Sequence, residues 1–448
     1  MKTSLLASLI LFSLVRPVGA QDLIETYHLA LKHDPQLRKA YFTQFSVAES
    51  KSQSIAQMLP TLSASASSSR ERLSNKKDNF RTAGTQHFWN NSFSINFSQP
   101  VFHWDHWVQL SQSGNRIAQA EAEYKAERQH LIVRITEAYF DILSAQDNLV
   151  FTVSEQMAIE QQREQARQRF DVGLIAITDV YQAQAAYDQA VADQIDAENL
   201  LADSKEALRE IIGDNEVTLQ ALASNLIFHP PEPNNIAEWS RIAETKNLTI
   251  IAAFNQVEVY RKNIAIQQSA HIPTLDLVAN YNVRDVTSTF GQRGDSQLIG
   301  LQFNLPLFQG GLVFSQTRQA HYDFQVAKEN LLSTQRLIKR QLRNAFRDVI
   351  SSLSRVHALK AAMISSDSSL QASEAGLEIG SQTMVDVLAE QRNLYRAKRD
   401  YARSRYDYLV NGVKLKQAAS SLTEDDLQRI NQYLVKQQPL ATVSPIPK

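Results

Sequence analysis

Two kinds of hydrophobic pattern follow one another along this chain. In residues 61–70 and 87–100 apolar side chains occupy every second position, which predicts strands with one apolar and one polar face. In the second stretch the apolar face consists of Trp89, Phe93, Ile95 and Phe97. Serine and asparagine occupy the opposite face, and Pro100 is expected to end the strand.

Helical periodicity covers most of the remaining chain. From Trp104 to Phe170 there is no proline and a single glycine, and apolar residues recur mainly at spacings of three and four, as in a coiled coil. A helix of about 65 residues is about 100 Å long at 1.5 Å per residue. A second long helix is predicted for residues 312–377, and shorter helices for residues 179–212 and from the second turn to about Gln417.

The second half of the chain repeats the first. The Pro60 region returns around Pro273, and two further alternating stretches, residues 274–284 and 297–307, follow it. A glycine-bearing turn also occurs twice, in residues 169–180 and 376–387. The offset, about 207 residues, is far too long for a solenoid and indicates an internal duplication.

This duplication divides the chain into predicted parts. Residues 21–233 form the first repeat, residues 234–435 the second, and residues 436–448 a C-terminal tail. Residues 1–20 have the basic start, apolar middle and small-residue end of a secretory signal, so we expect an exported chain.

The two turns allow two interpretations. Gly173 and Gly380 permit a backbone conformation that other residues avoid, so each turn joins two helices tightly. Asp179 and Asp386, which align in the two copies, would then stabilise the start of the next helix. Alternatively, the repeated turn places Asp386 at a narrow opening.

The amino-acid composition limits the class of protein to which this chain can belong. Without Lys2 and Arg16 of the signal, the chain has 44 basic residues instead of 46, against 47 acidic residues. It therefore lacks the excess of positive charge that is typical of a nucleic-acid-binding protein. There is no cysteine, so packing or assembly alone must hold an exported chain together. A basic loop, residues 70–81, is expected to be a solvated loop, with anionic lipid or an external ligand as the other possibility.

Four strands with one apolar face cannot form a soluble core, because they leave that face and two edges uncovered. In an exported protein the solution is a closed barrel in a membrane, to which several chains contribute. Aromatic residues at both ends of the second strand fit an interfacial girdle, and they are Phe88, Trp89, Phe102, Trp104 and Trp107.

Candidate chemistry is sparse. His103 and His106 are separated by three positions, but no third ligand is evident, so we expect no metal. There is no catalytic constellation, phosphate loop or cysteine nucleophile, so we expect neither an enzyme nor a cofactor.

The sequence resembles the TolC family, the outer-membrane ducts of Gram-negative efflux pumps and type I secretion systems. The resemblance covers nearly the whole chain after the signal. Its most specific pieces are Arg169–Leu174, Ile177–Val180, His271–Leu277, Leu305–Gly311 and Met384–Leu388.

The resemblance implies an α+β membrane protein in the outer membrane. Four transmembrane strands per chain would join a trimeric twelve-stranded barrel, and long coiled-coil helices would form a tunnel in the periplasm. The implied partners are two sister copies, outer-membrane lipid, a periplasmic adaptor protein and an inner-membrane transporter, with no nucleic acid.

It also implies roles for the turn residues. Asp386 matches the first of two aspartates that ring the closed tip, while the position of the second is Ala389. Thr178 and Asp179 match residues that hold the tip shut, but their expected tyrosine and arginine partners are Leu377 and Gln382 here. We therefore expect a weaker latch, or one made by other pairs.

Gly173 and Gly380 resemble the place where the adaptor docks, although the turn alone also accounts for glycine there. The rival to the whole interpretation is a periplasmic coiled-coil adaptor or scaffold without a pore. That rival explains the helices but not the paired strands with aromatic ends.

Overall fold

The structure is a computed structural model that describes residues 21–75, 84–215, 218–288 and 291–435. The predicted signal, the C-terminal tail, and Lys76, Lys77 and Arg81 of the basic loop lie outside the described residues. The helices are α1 (Leu23–His33), α2 (Pro35–Ala56), α3 (Trp104–Asp171), α4 (Ile177–Ile212), α5 (Ile236–Lys246), α6 (Leu248–Ser269), α7 (Leu312–Glu378), α8 (Met384–Ala418) and α9 (Glu424–Asn431). None of these helices is long and apolar enough to cross a membrane.

The strands form two separate sheets. They are β1 (Thr61–Asn75), β2 (Gly84–Phe102), β3 (Ala221–Leu222), β4 (Thr274–Val286), β5 (Arg293–Asn304) and β6 (Leu434–Val435). The large sheet has the order β1-β2-β4-β5 and is antiparallel throughout, and the small sheet pairs β3 with β6. The predicted combination of helices and strands is confirmed.

The chain divides into two compact units. Of the described residues, those within Lys39–Ala126 and Leu248–Leu337 form the sheet unit, and those within Met1–Arg38, Glu127–Asn247 and Ile338–Lys448 form the helix unit. Each unit takes segments from both halves of the sequence. The compact units therefore do not coincide with the two sequence repeats, because corresponding segments of the two repeats pack side by side.

The register of the large sheet separates apolar from polar side chains. Ala64 lies opposite Ile95, Ile95 opposite Tyr281, and Ala279 opposite Ile299. Because side chains alternate along a strand, these positions share one face. That face is open to solvent in the single chain, where Leu62 is 73% exposed and Ile299 is 79% exposed.

The other face of the sheet carries hydrogen-bonded polar pairs. The hydroxyl groups of Ser65 and Ser94 lie 2.8 Å apart, as do those of Ser67 and Ser92. The Asn280 side-chain amide donates to the Asn96 side-chain oxygen across β2 and β4. Cross-strand pairs of this kind stabilise a sheet and hold its register.

The strands differ from the prediction at their ends. β1 continues to Asn75 and β2 begins at Gly84, because the backbone ladder persists after the apolar alternation has faded. Pro100 does not end β2, which continues to Phe102 through a shift in register between these two residues. The shift places Phe102 opposite Leu275, a position that shares the apolar face.

The helix unit contains elements that the hydrophobic pattern did not reveal. β3, which is only two residues long, lies between α4 and α5. α9 ends at Asn431, and Leu434–Val435 form β6 against β3. α5, which was also missed, begins at a cap in which Asn235 Oδ1 accepts from the Ala237 amide.

A buried ion pair joins two distant segments of the helix unit. Asp34, which lies between α1 and α2 and is 1% exposed, accepts two hydrogen bonds from the Arg134 guanidinium at 2.8 and 2.9 Å. The same carboxylate accepts from the Leu37 amide at 2.7 Å and so starts α2. A buried carboxylate is tolerated here because each oxygen has a charged partner.

Candidate functional site at the helical turns

The first turn, between α3 and α4, closes on the backbone of Gly173. Its φ is +77°, and its amide donates to the Phe170 carbonyl at 2.8 Å. The Leu174 amide donates to the Arg169 carbonyl at 2.8 Å. This pair of bonds is the Schellman arrangement, which requires a left-handed residue at the position of Gly173.

The second turn, between α7 and α8, has the same backbone. Gly380 has φ +75°, its amide donates to the Leu377 carbonyl at 3.3 Å, and the Ser381 amide donates to the Gly376 carbonyl at 2.9 Å. A Cβ on either turn glycine, Gly173 or Gly380, would meet no atom within 4 Å. Glycine is therefore required at both turns by its backbone angle and not by crowding.

Gly376 has a different role, which the sequence pattern did not reveal. A Cβ at this position would lie 2.5 Å from Gln382 Cγ and 3.2 Å from Ser381 Oγ. The Gln382 side chain, which the resemblance placed at the latch, therefore lies across the end of α7. The aligned position in the first turn is Arg169, so only the second turn is closed in this way.

Asp386 is part of a helix cap. Its Oδ2 accepts from the Thr383 amide at 2.9 Å and from the Thr383 hydroxyl at 2.6 Å, while the Asp386 amide donates to that hydroxyl at 3.3 Å. These hydrogen bonds to the ionised form lower the pKa of Asp386. The carboxylate is exposed, and both cap bonds use the same oxygen.

The first turn lacks this cap although it repeats the backbone. Ala176 occupies the N-cap position of α4 and supplies no side-chain hydrogen bond. Thr178 and Asp179 lie in the first turn of α4, where the Asp179 amide donates to the Ala176 carbonyl at 3.1 Å and no side chain caps the helix. The two turns are thus alike in backbone and different in side-chain support.

The two turns meet in one apolar cluster. Ile159 and Ala166 of α3, Ala183 and Ala190 of α4, and Met384 and Leu388 of α8 form its buried part. Ile175 from the first turn and Leu377 from the end of α7 pack against it. Leu377, which replaces the expected tyrosine of the latch, is therefore a packing residue.

Polar contacts flank this cluster. The Arg399 guanidinium of α8 donates to the buried Glu155 carboxylate of α3 at 2.7 Å. The Arg163 guanidinium lies 4.1 Å from the centre of the Tyr187 ring on α4. Sequence reasoning missed these pairs, because their members are far apart in the chain and carry no motif.

The aromatic residues of the predicted girdle do not all share one face. Trp89 lies opposite Arg70, and Phe88 lies opposite Glu71. Neighbouring residues of a strand point to opposite faces, so Phe88 lies on the polar face and Trp89 on the apolar face. Phe102, Trp104 and Trp107 follow at the other end of β2 and are exposed in the single chain.

Comparison with known proteins gives a consistent picture. Residues 26–214 and 239–421 match the family described as outer membrane efflux protein. The chain is 34% identical to the outer membrane protein TolC of Vibrio cholerae, over 95% of this chain and 97% of that protein. It is 35% identical to TolC of Escherichia coli, over 93% and 86% of the two chains.

More distant similarities extend this picture. The proteases secretion protein PrtF of Dickeya chrysanthemi is 24% identical over 92% of this chain and 90% of its own length. Among solved structures, the CmeC outer membrane channel of Campylobacter jejuni has a TM-score of 0.78 at 17% identity, covering 93% of this chain and 90% of that chain. At this low identity, the similarity to CmeC shows that the two chains share a fold.

The difference between the two turns predicts a local difference in stability. Thr383→Ala removes the hydroxyl that caps α8, at a typical cost of about 1 kcal/mol, so we expect several-fold faster amide exchange in residues 384–388. Thr178→Ala is the matched control and should leave exchange in residues 177–181 unchanged, because Thr178 caps no helix. Hydrogen–deuterium exchange with mass spectrometry measures both, and equal effects at the two turns would contradict the assignment.

Proposed function

The chain belongs to the outer membrane efflux protein family, and on that premise we propose how it works as an exit duct. It is an outer-membrane protein that serves efflux and type I secretion, and substrates pass through it passively. The observation that carries the mechanism is the large sheet, with one exposed apolar face, one polar face and unpaired edges on β1 and β5.

Three chains together can pair the free edges of this sheet and surround a water-filled lumen. A sheet edge with free amide and carbonyl groups is unstable in lipid, and four strands are too few to surround water. Pairing of β5 with β1 of the next copy in a ring of three gives twelve strands, which is within the range of outer-membrane barrels. The apolar face then contacts lipid and the serine and asparagine pairs line the lumen.

The turns are proposed to be the periplasmic end of the duct. Threefold symmetry would bring Asp386 of each chain around one axis, where a ring of carboxylates concentrates cations. Within each chain, the hydrogen bonds from Thr383 favour the charged form of Asp386 and lower its pKa. We further propose that a periplasmic adaptor docks at Gly173 and Gly380 and connects the duct to an inner-membrane transporter.

We propose that the tip is held closed by contacts other than the latch that the resemblance implied. Leu377 cannot accept a side-chain hydrogen bond, and Gln382 offers only neutral ones. The Glu155–Arg399 pair and the contact of Arg163 with Tyr187 hold α3, α4 and α8 together. They support a tip that is held shut mainly by packing and by these pairs.

The assembly is tested on the purified full chain. We expect it to require detergent, to have the mass of a trimer, and to conduct ions across a planar bilayer. A monomer that dissolves without detergent and does not conduct would overturn the duct and would favour a coiled-coil adaptor without a pore.

The charge of Asp386 is tested by ion selectivity. Asp386→Ala and Asp386→Asn should both shift the reversal potential in a KCl gradient toward zero and weaken block by multivalent cations. Asp386→Asn separates the charge from the loss of packing around the cap, and Glu374→Gln on α7 is the control for a lost carboxylate elsewhere. Unchanged selectivity in both Asp386 variants would refute the carboxylate ring.

The same site predicts a pH dependence. The hydrogen bonds from Thr383 lower the pKa of Asp386, so cation preference should be present at neutral pH and vanish when falling pH protonates Asp386. Thr383→Ala removes the hydroxyl bond to Oδ2, so preference should be lost at a higher pH than in the unmodified chain.

The latch is tested by restoring its missing partners. Gln382→Arg combined with Leu377→Tyr should lower the single-channel conductance, because a charge-assisted bond to Asp179 becomes possible. Gln371→Arg adds the same charge on the exposed surface of α7 and should leave conductance unchanged. If the double variant conducts like the unmodified chain, the absent pair does not account for the strength of the latch.

A further inference from the structure

Four titratable side chains meet where β2 leads into α3. His103, Asp105 and His106 each offer one ligand atom, and these three atoms lie within 4.8 Å of one another. The two imidazole rings are stacked, with centres 4.6 Å apart. From sequence alone the pair of histidines was set aside because no third ligand was evident, and the structure supplies two carboxylates.

The local fold explains why these groups converge. His103 is the single residue between the end of β2 and the start of α3, and Asp105 and His106 lie in the first turn of that helix. The Asp105 carboxylate faces a nitrogen of each ring through a different oxygen, with Oδ1 3.9 Å from His103 Nδ1 and Oδ2 3.7 Å from His106 Nε2. All three side chains are partly shielded from solvent.

Asp276 of β4 adds an outer contact. Its Oδ1 lies 3.0 Å from His103 Nε2, on the opposite side of the ring from Asp105. A carboxylate that holds one imidazole nitrogen fixes the tautomer and aims the other nitrogen outward, which is the usual surrounding of a metal-binding histidine. Asp276 therefore prepares Nδ1 of His103 as a ligand.

We propose that His103, Asp105 and His106 bind one divalent transition-metal ion of the zinc class, with Asp276 as the positioning residue of His103. Two imidazoles and one carboxylate suit zinc, cobalt, nickel or copper, whereas magnesium and calcium prefer oxygen ligands alone. Ligands of a tetrahedral zinc ion with bonds of about 2.0 to 2.1 Å lie roughly 3.3 to 3.5 Å apart. The three ligand atoms, which lie within 4.8 Å of one another here, therefore approach by up to roughly 1.5 Å on binding, and the stacked rings turn so that a nitrogen of each faces the ion.

The bound ion would fasten the start of α3 to β4. His103 and His106 belong to the β2–α3 junction, and Asp276 belongs to the neighbouring strand, so the metal and the outer carboxylate link three elements of the sheet unit. This proposal does not depend on the proposed function, since it concerns only residues within one chain and one unit.

The test is zinc binding by the full-length, detergent-solubilised protein without a histidine tag. We expect one zinc per chain in a titration against a chromophoric chelator, and a visible absorption of tetrahedral intensity when cobalt replaces zinc. His106→Gln should weaken zinc binding at least ten-fold and remove the cobalt spectrum. Asp276→Asn should weaken binding about ten- to hundred-fold and retain a cobalt spectrum, as expected for a residue that acts through His103.

His321→Gln is the matched control, because His321 is an exposed histidine of α7 in the same unit. It should bind zinc like the unmodified chain. Asp105→Asn replaces His106→Gln if the latter does not assemble like the unmodified protein. Equal zinc binding by the unmodified chain and by the ligand variants would overturn the site, and the four side chains would then form only a polar joint between β4 and α3.

Discussion

The rest of the structure depends on backbone hydrogen bonds that the large sheet cannot complete within one chain. The large sheet begins with β1 and ends with β5, and each of these edge strands leaves a row of amide and carbonyl groups without a sheet partner. Its apolar face is also uncovered within the chain. Both deficits have one remedy, which is to place further copies of the same sheet at the two edges and hydrocarbon against the face.

The two helical turns share one backbone geometry, but the side chains around it differ between the two copies. Gly173 and Gly380 have nearly the same φ and the same two closing bonds. Around this common geometry one copy gained a hydroxyl cap and the other did not, and one copy has Gly376 where the other has Arg169. Backbone geometry is demanding because few residues satisfy it, whereas side-chain support can be lost from one copy if the apolar cluster holds the turn.

Strong periodicity explains what could be predicted from the sequence. Alternation in β2 and the proline-free run from Trp104 placed the strands and long helices close to their observed positions, because each pattern extends over many residues. Short elements such as β3 and β6 have no such signal, since each strand exists only through its partner more than 200 residues away. The shift beside Pro100 was missed for the same reason, because only the register with β4 reveals it.

The candidate site was predictable to a different degree. Asp386 and the turn glycines were found because they recur in both halves, but recurrence does not reveal contacts. The cap on Asp386, the Glu155–Arg399 pair and the approach of Asp276 to His103 all depend on where distant segments meet. The resemblance predicted roles for several of these positions, and the contacts give some of them another physical role, as with Leu377 in the apolar cluster.

Because Gln382 lies so close to Gly376, the effect of a substitution at either position depends on the residue at the other. A Cβ at 376 would lie 2.5 Å from Gln382 Cγ and 3.1 Å from Gln382 Cβ, so a larger residue there requires the side chain at 382 to shift. Arginine at 382 keeps that Cγ and is compatible with glycine, whereas alanine at 376 requires a shorter neighbour or a displaced one. Replacements at the two positions should therefore be epistatic, and natural variants that lose the glycine should carry a compensating change at 382.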